Sequence, residues 1–370
     1  MKPLYVAATG QHVGKTTSTL GLVSNILLQG KNVGYCKPVG QSHLTVDGQI
    51  IDKDVVLFSE MLDFKVDASI HSPVVMGKGV TKAYIDHPEN FKFHEQIIAS
   101  SKILTERHEV VVYEGTGHPG VGSVADVSNA QVARILDAGV LMIAEGGIGN
   151  TIDRLTLSIA QFRHFNIPIL GVIVNKVFPD KIDQVQYYVG KKLKQWNLDL
   201  IGTLPFDKRM SFPLMETVMS AIQGKILFNQ LKLYNRIEHI VAGSLVNVKE
   251  ISTYKNMMLV VSAKRLDEAI KKISSIAKIQ KLESPLAGII ITGDGVHEEG
   301  LKITERAREY IIKHETPVIT TTLDTFGAVV KVSRIEVKIN THTPWKTKRA
   351  IQLIRENVDV DLIIDKLSKL

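Results

Sequence analysis

Cysteine is almost absent from this sequence, which has only Cys36 among its 370 residues. A single cysteine cannot form an internal disulfide, so a disulfide-stapled extracellular fold is excluded and the cytoplasm is the expected location. No apolar run approaches the roughly 18 residues that a membrane-spanning helix requires. The run at residues 4–8 is also too short for the core of a signal peptide. We therefore expect a cytoplasmic protein without a membrane partner.

Clustered positive charge is missing as well. The formal net charge is +7, but the 45 lysines and arginines are dispersed and do not form a block interleaved with aromatic residues. Nucleic-acid binding needs such a concentrated patch, so we predict no nucleic-acid partner and a surface suited to small phosphorylated ligands. Apolar residues make up 44% of the chain, which is enough for a substantial core. The chain of 370 residues is also long enough for two domains.

Short β-rich apolar runs alternate with helical patterns through the first half of the chain. Residues 110–113 are apolar throughout, which is typical of a strand buried on both faces of a parallel sheet. The predicted strands are 4–8, 32–36, 109–114, 139–145, 168–174 and 198–202. The predicted helices are 15–29, 52–62, 90–107, 127–137, 151–164 and 181–195. This alternation predicts a doubly wound, mostly parallel α/β sheet with right-handed crossovers.

A weaker pattern after Pro205 marks a break. Residues 206–235 predict loop and helix with no strong strand signal, and alternation resumes around residue 240. The second set of predicted elements comprises strands near 257–262, 286–292 and 316–321 and helices near 265–278, 298–313 and 344–356. We therefore predict two domains, residues 1–222 and residues 223–370, of which the second is a smaller α/β domain.

The first predicted strand runs into a glycine-containing loop, ATGQHVGKTTSTL, that opens the first helix. Gly14, Lys15 and Thr16 form the second half of the phosphate-binding pattern G-x-x-x-x-G-K-[ST], but Thr9 stands where the leading glycine is expected. Helix-terminus effects contribute only about 0.3–1 kcal/mol each at exposed sites, so a lysine and a metal are normally recruited. In this pattern Gly14 lets the backbone approach phosphates, Lys15 reaches the β- and γ-phosphates, and Thr16 ligates Mg²⁺.

The loop residues predicted to bind nucleotide are Thr9, Gly10, Gln11, His12, Val13, Gly14, Lys15, Thr16 and Thr17. A second landmark is Glu114, an acid that follows four apolar residues at the end of a predicted buried strand. A carboxylate at that end of a parallel strand is well placed to ligate Mg²⁺ beside the phosphates.

These segments resemble dethiobiotin synthetase, whose loop reads G-T-x-x-x-V-G-K-T. Here Ala8 replaces the first glycine. The resemblance continues in order at residues 34–42, 46–58, 109–123, 171–181 and 201–207. Gly10 replaces the additional loop lysine of partition-type ATPases, which argues against that class. The resemblance implies ATP and Mg²⁺ as cofactors and a homodimer.

The same resemblance assigns roles outside the loop. Lys37, at the end of the second strand, would steady charge on the transferring phosphoryl group together with Lys15; the alternative is a surface lysine after a buried strand. Asp54 would join Thr16 and Glu114 as a metal ligand. The neighbouring Asp52 could instead cap the start of the helix. Asn175 would read the adenine edge, because an amide both donates and accepts hydrogen bonds.

The chain also resembles the dethiobiotin-synthetase-like domain at the start of long bacterial phosphotransacetylases. Residues 260–270, 287–295 and 317–326 resemble the DRTGG domain that follows it there, with an eroded signature. The loops 292–297 and 321–326 are either a ligand pocket or ordinary turns. The acetyltransferase domain of the long enzymes would follow Leu370, so we expect no phosphotransacetylase activity from this sequence by itself.

Three functions follow from these patterns. The first is a regulatory protein that binds ATP in the first domain and a small acidic metabolite in the second, and that acts on an acetyltransferase or another metabolic enzyme. The second is an ATP-dependent ligase, similar to dethiobiotin synthetase or cobyrinic acid a,c-diamide synthase, that activates a carboxylate or carbamate. The third, a scaffold with a relic site, is disfavoured by the intact loop and acids. We prefer the first hypothesis, a regulatory protein.

Overall fold

The computed structural model describes residues 1–243, 248–293 and 303–370. The chain divides into two compact units, and each has its own sheet. The first unit comprises Met1–Asp207 together with Ile339–Leu370, and the second comprises Lys208–Lys338.

The strands and helices follow one another along the chain as expected for an α/β protein. The strands are β1 Leu4–Ala8, β2 Val33–Cys36, β3 Val39–Gly40, β4 His43–Val46, β5 Gln49–Asp52, β6 Val74–Val75, β7 Val110–Glu114, β8 Gly139–Glu145, β9 Ile169–Val177, β10 Leu200–Pro205, β11 Lys225–Phe228, β12 His239–Ala242, β13 Met257–Ser262, β14 Leu286–Thr292 and β15 Val318–Thr321. The helices are α1 Lys15–Leu28, α2 Lys53–Leu62, α3 Ala68–His71, α4 Val80–Asp86, α5 Phe93–Arg107, α6 Asn129–Ile135, α7 Gly149–His164, α8 Ile182–Gln195, α9 Met215–Ala221, α10 Leu266–Gln280, α11 Glu305–Lys313, α12 Thr325–Ser333, α13 Pro344–Asn357 and α14 Val360–Ser368.

The first unit is built on a six-stranded sheet in the order β10-β9-β8-β1-β7-β2, in which every pair is parallel. All five residues of β1 and of β7 are buried, as expected for central strands covered on both faces. The predicted mostly parallel α/β sheet is therefore confirmed. Because the strands are parallel, the ends of β1, β2, β7 and β9 meet at one edge of the sheet.

The two C-terminal helices complete this first unit. Gly21 of α1 lies against Ala350 and Ile354 of α13, and α14 contacts β9. The sequence prediction placed these helices in a domain spanning residues 223–370, whereas here residues 339–370 cover apolar strands of the first sheet. The local pattern of an amphipathic helix does not reveal which sheet it covers, so the pattern alone could not locate this return of the chain.

The second unit contains a five-stranded sheet in the order β11-β15-β14-β13-β12. Its pairs are parallel except for β11, which runs antiparallel to β15 at the edge. Apolar residues such as Ile289 and Ile290 point to opposite faces, where they join two separate hydrophobic clusters. The structure therefore contains a second, smaller sheet domain, as predicted.

The prediction of loop and helix for residues 206–235, made because the strand signal is weak, is wrong where β11 lies. It is a four-residue edge strand whose residues are exposed or half-buried, so it lacks the apolar run of a central strand. The predicted helix 298–313 is seen as α11, and its residues 298–302 lie outside the described residues. Residues 294–297, part of the loop that is either a ligand pocket or an ordinary turn, also lie outside them. Across the described ranges, every helix falls short of the length and apolar character needed to cross a membrane.

Candidate nucleotide-binding site

The loop between β1 and α1 is held in a conformation that requires glycine at its end. Gly14 has φ of 92°, and a Cβ added there would lie 2.1 Å from Nδ2 of Asn175. A side chain at this position would therefore be strained and would collide with β9. Farther back in the loop, the Thr9 backbone N–H donates to the Ile143 carbonyl at 3.0 Å, which ties the loop to β8.

The end of β9 supports the carbonyl groups of the loop. Asn175 Nδ2 donates to the Val13 carbonyl at 2.8 Å, and Lys176 Nζ donates to the His12 carbonyl at 2.5 Å. The Lys176 ammonium also pairs with Glu145 at 3.1 Å. The Asn175 Oδ1 accepts from the Lys176 backbone N–H at 2.8 Å. Both polar atoms of Asn175 are therefore engaged within the protein, and its expected role at the adenine edge stays a prediction.

A cluster of charged side chains lies beside the start of α1. The Thr16 hydroxyl donates to Glu114 Oε1 at 2.7 Å and lies 3.5 Å from Asp54 Oδ2. The Lys37 ammonium lies between the same two carboxylates, 2.6 Å from Asp54 Oδ2 and 3.0 Å from Glu114 Oε1. The structure thus brings together four residues that the sequence analysis selected from four separate segments.

Local structure explains how each acid reaches the cluster. Asp52 is the N-cap of α2, because its Oδ1 accepts from the Asp54 backbone N–H at 2.9 Å. The alternative left open for Asp52 is therefore the one observed, and Asp54 occupies the first turn of α2. Glu114 is the last residue of β7 and is fully buried. Its second oxygen accepts from the Tyr35 hydroxyl at 3.1 Å, a partner that the sequence analysis missed.

Burial and charge act in opposite directions on the ionisation of this cluster. Burial raises the pKa of the Glu114 carboxyl, and the neighbouring Lys37 ammonium opposes that rise. Burial by itself would lower the pKa of Lys37, but the carboxylates of Asp54, Glu114 and Asp52 outweigh it, so the Lys37 pKa lies above its ordinary value. Two carboxylates that share one buried ammonium form a site that favours additional positive charge.

The donor set fits Mg²⁺. Asp54 and Glu114 each place a carboxylate oxygen within 3.5 Å of the Thr16 hydroxyl oxygen. Mg²⁺ prefers oxygen ligands from one or two carboxylates, completed by water and substrate phosphates. Among the described residues no group of three or more His, Cys, Asp or Glu side chains could hold a metal.

The loop after β7 faces the phosphate loop. Lys15 Nζ donates to the Gly117 carbonyl at 3.1 Å, and the Asn129 amide donates to the Thr116 and His118 carbonyls at 2.7 and 2.6 Å. The side chain of His118 is exposed and accepts from the Gly120 backbone N–H at 3.2 Å. The loop is therefore fixed by its backbone, while His118 faces solvent.

The other predicted loop residues differ in accessibility. Gln11 and His12 are exposed, Val13 is buried, and Gly10 and Thr17 are half-buried. The Thr9 hydroxyl is buried, and no described residue bonds to it. Their nucleotide contacts stay predictions. Lys176 was missed because its role depends on where β9 ends relative to a loop 164 positions away in sequence.

The parallel sheet, the loop that ends in Gly14-Lys15-Thr16 and the acid at the end of β7 together define a P-loop NTPase fold. Residues 2–213 match the family model described as an AAA domain, so the chain belongs to this family.

Curated relatives match over longer or shorter parts of the chain. Phosphate acetyltransferase of Nitrosomonas europaea is 23% identical over 376 residues, covering 99% of this chain and 52% of the relative. The probable cobyric acid synthase of Methanococcus vannielii is 24% identical, covering 69% of this chain and 55% of the relative. ATP-dependent dethiobiotin synthetase BioD of Clostridium kluyveri is 25% identical, covering 48% of this chain and 76% of the relative.

This chain spans about half the length of the phosphate acetyltransferase that it matches. Among solved structures, the MinD cell division protein of Aquifex aeolicus aligns with 57% of this chain and 85% of its own, at 11% identity and a TM-score of 0.38.

Proposed function

We propose that this protein binds ATP with Mg²⁺ in its first unit and uses the nucleotide state to regulate a metabolic enzyme. The observation that carries the proposal is the convergence at the start of α1 of Thr16 and Lys37 on the same two carboxylates, Asp54 and Glu114. A buried cluster of this kind is costly to maintain unless charged groups are satisfied. A metal-bound polyphosphate matches it in both charge and position.

Each residue has a role in this proposal. The backbone of residues 9–14 would surround the phosphates, and Thr16, Asp54 and Glu114 would hold Mg²⁺, which neutralises charge on the phosphate oxygens. Lys15, whose ammonium now bonds to Gly117, would turn to the β- and γ-phosphates. Lys37 would follow, because a metal at the two carboxylates would repel its ammonium and leave it available for the γ-phosphate.

Regulation is favoured by the extent of the match to phosphate acetyltransferase. Almost the whole of this chain, including the second unit, corresponds to about half of that relative. We propose that the second unit is a DRTGG-like domain that binds a small acidic metabolite, and that the protein acts as a homodimer on an acetyltransferase or another metabolic enzyme. Nucleic acid and membranes are not expected partners, and the cytoplasm is the expected location.

An ATP-dependent ligase is the second candidate. The similarity to dethiobiotin synthetase and to the probable cobyric acid synthase favours it, as does the position of Lys37 between two carboxylates. In this reaction the oxygen of a substrate carboxylate or carbamate attacks the γ-phosphorus, ADP leaves, and an amine then displaces phosphate from the mixed anhydride. The exposed His118 side chain and the fixed loop after β7 would lie on the acceptor side.

Titration calorimetry of ATP with Lys15→Ala tests the shared nucleotide site. Removal of charge-assisted hydrogen bonds worth about 1.5–3 kcal/mol each is expected to weaken ATP binding by roughly 100-fold or more. Lys102→Ala, an exposed lysine on α5, is the matched control and should bind ATP as the unmodified protein does. Equal affinities for Lys15→Ala and Lys102→Ala would refute the nucleotide site.

Turnover separates the two candidate functions. Clear ATP binding with slow hydrolysis that small carboxylic acids do not accelerate would support regulation. Release of ADP and phosphate that depends on both a carboxylic acid and an amine would instead support the ligase.

A further inference from the structure

Lys346, in the first turn of α13, is a buried lysine in the first unit. The residue is 1% exposed, and its Nζ has no hydrogen-bond partner within the described part of the chain. An ammonium group removed from water without a partner costs several kcal/mol, so such groups normally meet an anion or a strong acceptor. The basic residues Arg349 and Arg355 of the same helix do have partners, because they bond to Asp207 and Asn25.

The packing of α13 along α1 shows where this lysine lies. Gly21 of α1 lies against Ala350 and Ile354, and Asn25, one turn later, donates to the Ile351 carbonyl at 3.1 Å. Gln29, another turn later, bonds to Asp361 just after α14 begins. Later residues of α1 therefore meet later residues of the C-terminal segment, and the two helices run in the same direction.

The same register can be followed back toward the phosphate loop. Lys346 precedes Ala350 by four residues and so belongs to the stripe of α13 that faces α1. Ser18 precedes Gly21 by three residues on the facing stripe of α1, and its hydroxyl is also buried without a partner among the described residues. Helical side chains lean toward the N-terminus of their helix, so we expect the long stem of Lys346 to extend toward the level of Gly14 and Thr17.

The residue expected to contact the base already has partners within the protein. Asn175, the residue expected to read adenine, donates to Val13 and accepts from Lys176. We propose that Lys346 binds the nucleotide, donating from beside the phosphate loop to an acceptor on the α-phosphate, the ribose or the purine. This inference rests on the proposed nucleotide site, and it assigns the chain that returns after the second unit a direct part in that site.

The test compares Lys346→Met with Lys348→Met, an exposed lysine on the same helix. Lys346→Met should weaken ATP binding at least tenfold in titration calorimetry, while the urea midpoint of the nucleotide-free protein stays the same or rises because an unpaired buried charge is gone. Lys348→Met should change neither quantity. Lys346→Gln, which keeps a donor, should bind ATP with intermediate affinity and serves as the second variant if Lys346→Met fails to fold.

Inorganic tripolyphosphate identifies the group that is bound. A loss of affinity for both ATP and tripolyphosphate assigns Lys346 to a phosphate, and a loss for ATP alone assigns it to the ribose or purine. ATP affinity equal to that of the unmodified protein in both Lys346 variants overturns the inference. If ATP then still binds and Lys15→Ala still weakens binding as expected, only this inference fails; if the unmodified protein does not bind ATP, the proposed function fails.

Discussion

The two units of this protein have similar layers of sheet and helices but differ in the side chains that they bury. Both enclose a mostly parallel sheet between helices, but the first buries charged side chains, whereas the described part of the second buries none. The buried charged residues of the first unit include Lys15, Lys37, Asp52, Glu114 and Lys346. Within residues 208–243, 248–293 and 303–338, no charged side chain is buried, and the buried polar residues are Thr292, Thr316 and Thr321.

This difference agrees with the proposed ligand site in the first unit. A core stabilised by apolar burial gains nothing from an ionised group, because desolvation of a charge costs several kcal/mol. The first unit accepts that cost where strand ends and helix starts bring lysines and carboxylates together. In the second unit the described strand ends carry hydroxyl groups, so an acidic metabolite bound there would be recognised by hydroxyls and backbone N–H groups.

The largest expected effect comes from removing the central cation of the first unit. Lys37→Met leaves the buried Glu114 and the neighbouring Asp54 carboxylate without their shared ammonium. Breaking a buried pair in this way typically costs about 3–5 kcal/mol. The free energy of unfolding is measured by urea titration at pH 7 with tryptophan fluorescence, since Trp196 and Trp345 both belong to the first unit.

Mg²⁺ should restore part of this loss, because a metal at the carboxylates replaces the missing charge. Lys102→Met, which changes an exposed lysine, should alter the free energy of unfolding by less than about 0.5 kcal/mol. If Lys37→Met lowers the free energy of unfolding no more than Lys102→Met does, the buried charges of the first unit do not contribute to its stability.

The second prediction concerns pH and the buried Lys346. Burial lowers its pKa to about 8 in the folded protein, against roughly 10.4 in an unfolded chain. Between these values the unfolded state binds more protons, so the free energy of unfolding should rise with pH by up to about 1.4 kcal/mol per unit. Lys37, whose pKa is raised, contributes in the opposite direction only above its ordinary value, and the raised pKa of Glu114 acts at acid pH.

Lys346→Met should remove this rise between about pH 8 and 10 and should stabilise the nucleotide-free protein at pH 7. Urea titrations of both proteins across that range provide the measurement. Parallel pH profiles for the variant and the unmodified protein would show that Lys346 is not held as an unpaired cation.

Much of the site could be predicted because its residues lie at the carboxyl ends of parallel strands, which meet at one edge of a sheet. Lys37 directly follows β2 and Glu114 ends β7. These two strands are parallel neighbours, so any doubly wound sheet brings both residues to the same edge as the loop of Lys15 and Thr16. Their convergence with Asp54 follows from the helix that Asp52 caps. Their roles with nucleotide and metal remain predictions, since geometry in the protein alone does not test them.

The parts that escaped prediction depend on pairings between distant segments. Tyr35 lies 79 positions before Glu114, and nothing in its local sequence distinguishes a tyrosine that bonds to a buried acid. The helix at residues 344–357 has the same amphipathic pattern whichever sheet it covers. The burial of Lys346 on that helix therefore could not be predicted without the packing of α13 on α1.

The third prediction tests that packing directly. A Cβ at Gly21 would lie 2.4 Å from Ile354 Cγ1 and 2.7 Å from the Ala350 carbonyl oxygen. Gly21→Ala should therefore cost a net 1–3 kcal/mol or so in the free energy of unfolding despite the better helix propensity of alanine. Gly149→Ala, at the start of α7 with open space around it, should be neutral or slightly stabilising. Equal stabilities of the two variants would contradict the assignment of α13 to the first unit.

The smallest expected effect lies in the second unit, where the Thr292 hydroxyl is 3.0 Å from that of Thr325. Thr292→Val keeps the shape of the side chain and removes one neutral hydrogen bond, so we expect a loss of about 0.5–1.5 kcal/mol. Hydrogen exchange of the β13 and β14 amides should accelerate accordingly, while ATP affinity and the tryptophan-detected midpoint stay unchanged. Thr325→Val should have a similar effect, and the double variant should cost little more than either single one because both remove the same bond. A loss of several kcal/mol from Thr292→Val would show that the hydroxyls of the second unit, like the charges of the first, belong to a more demanding polar site.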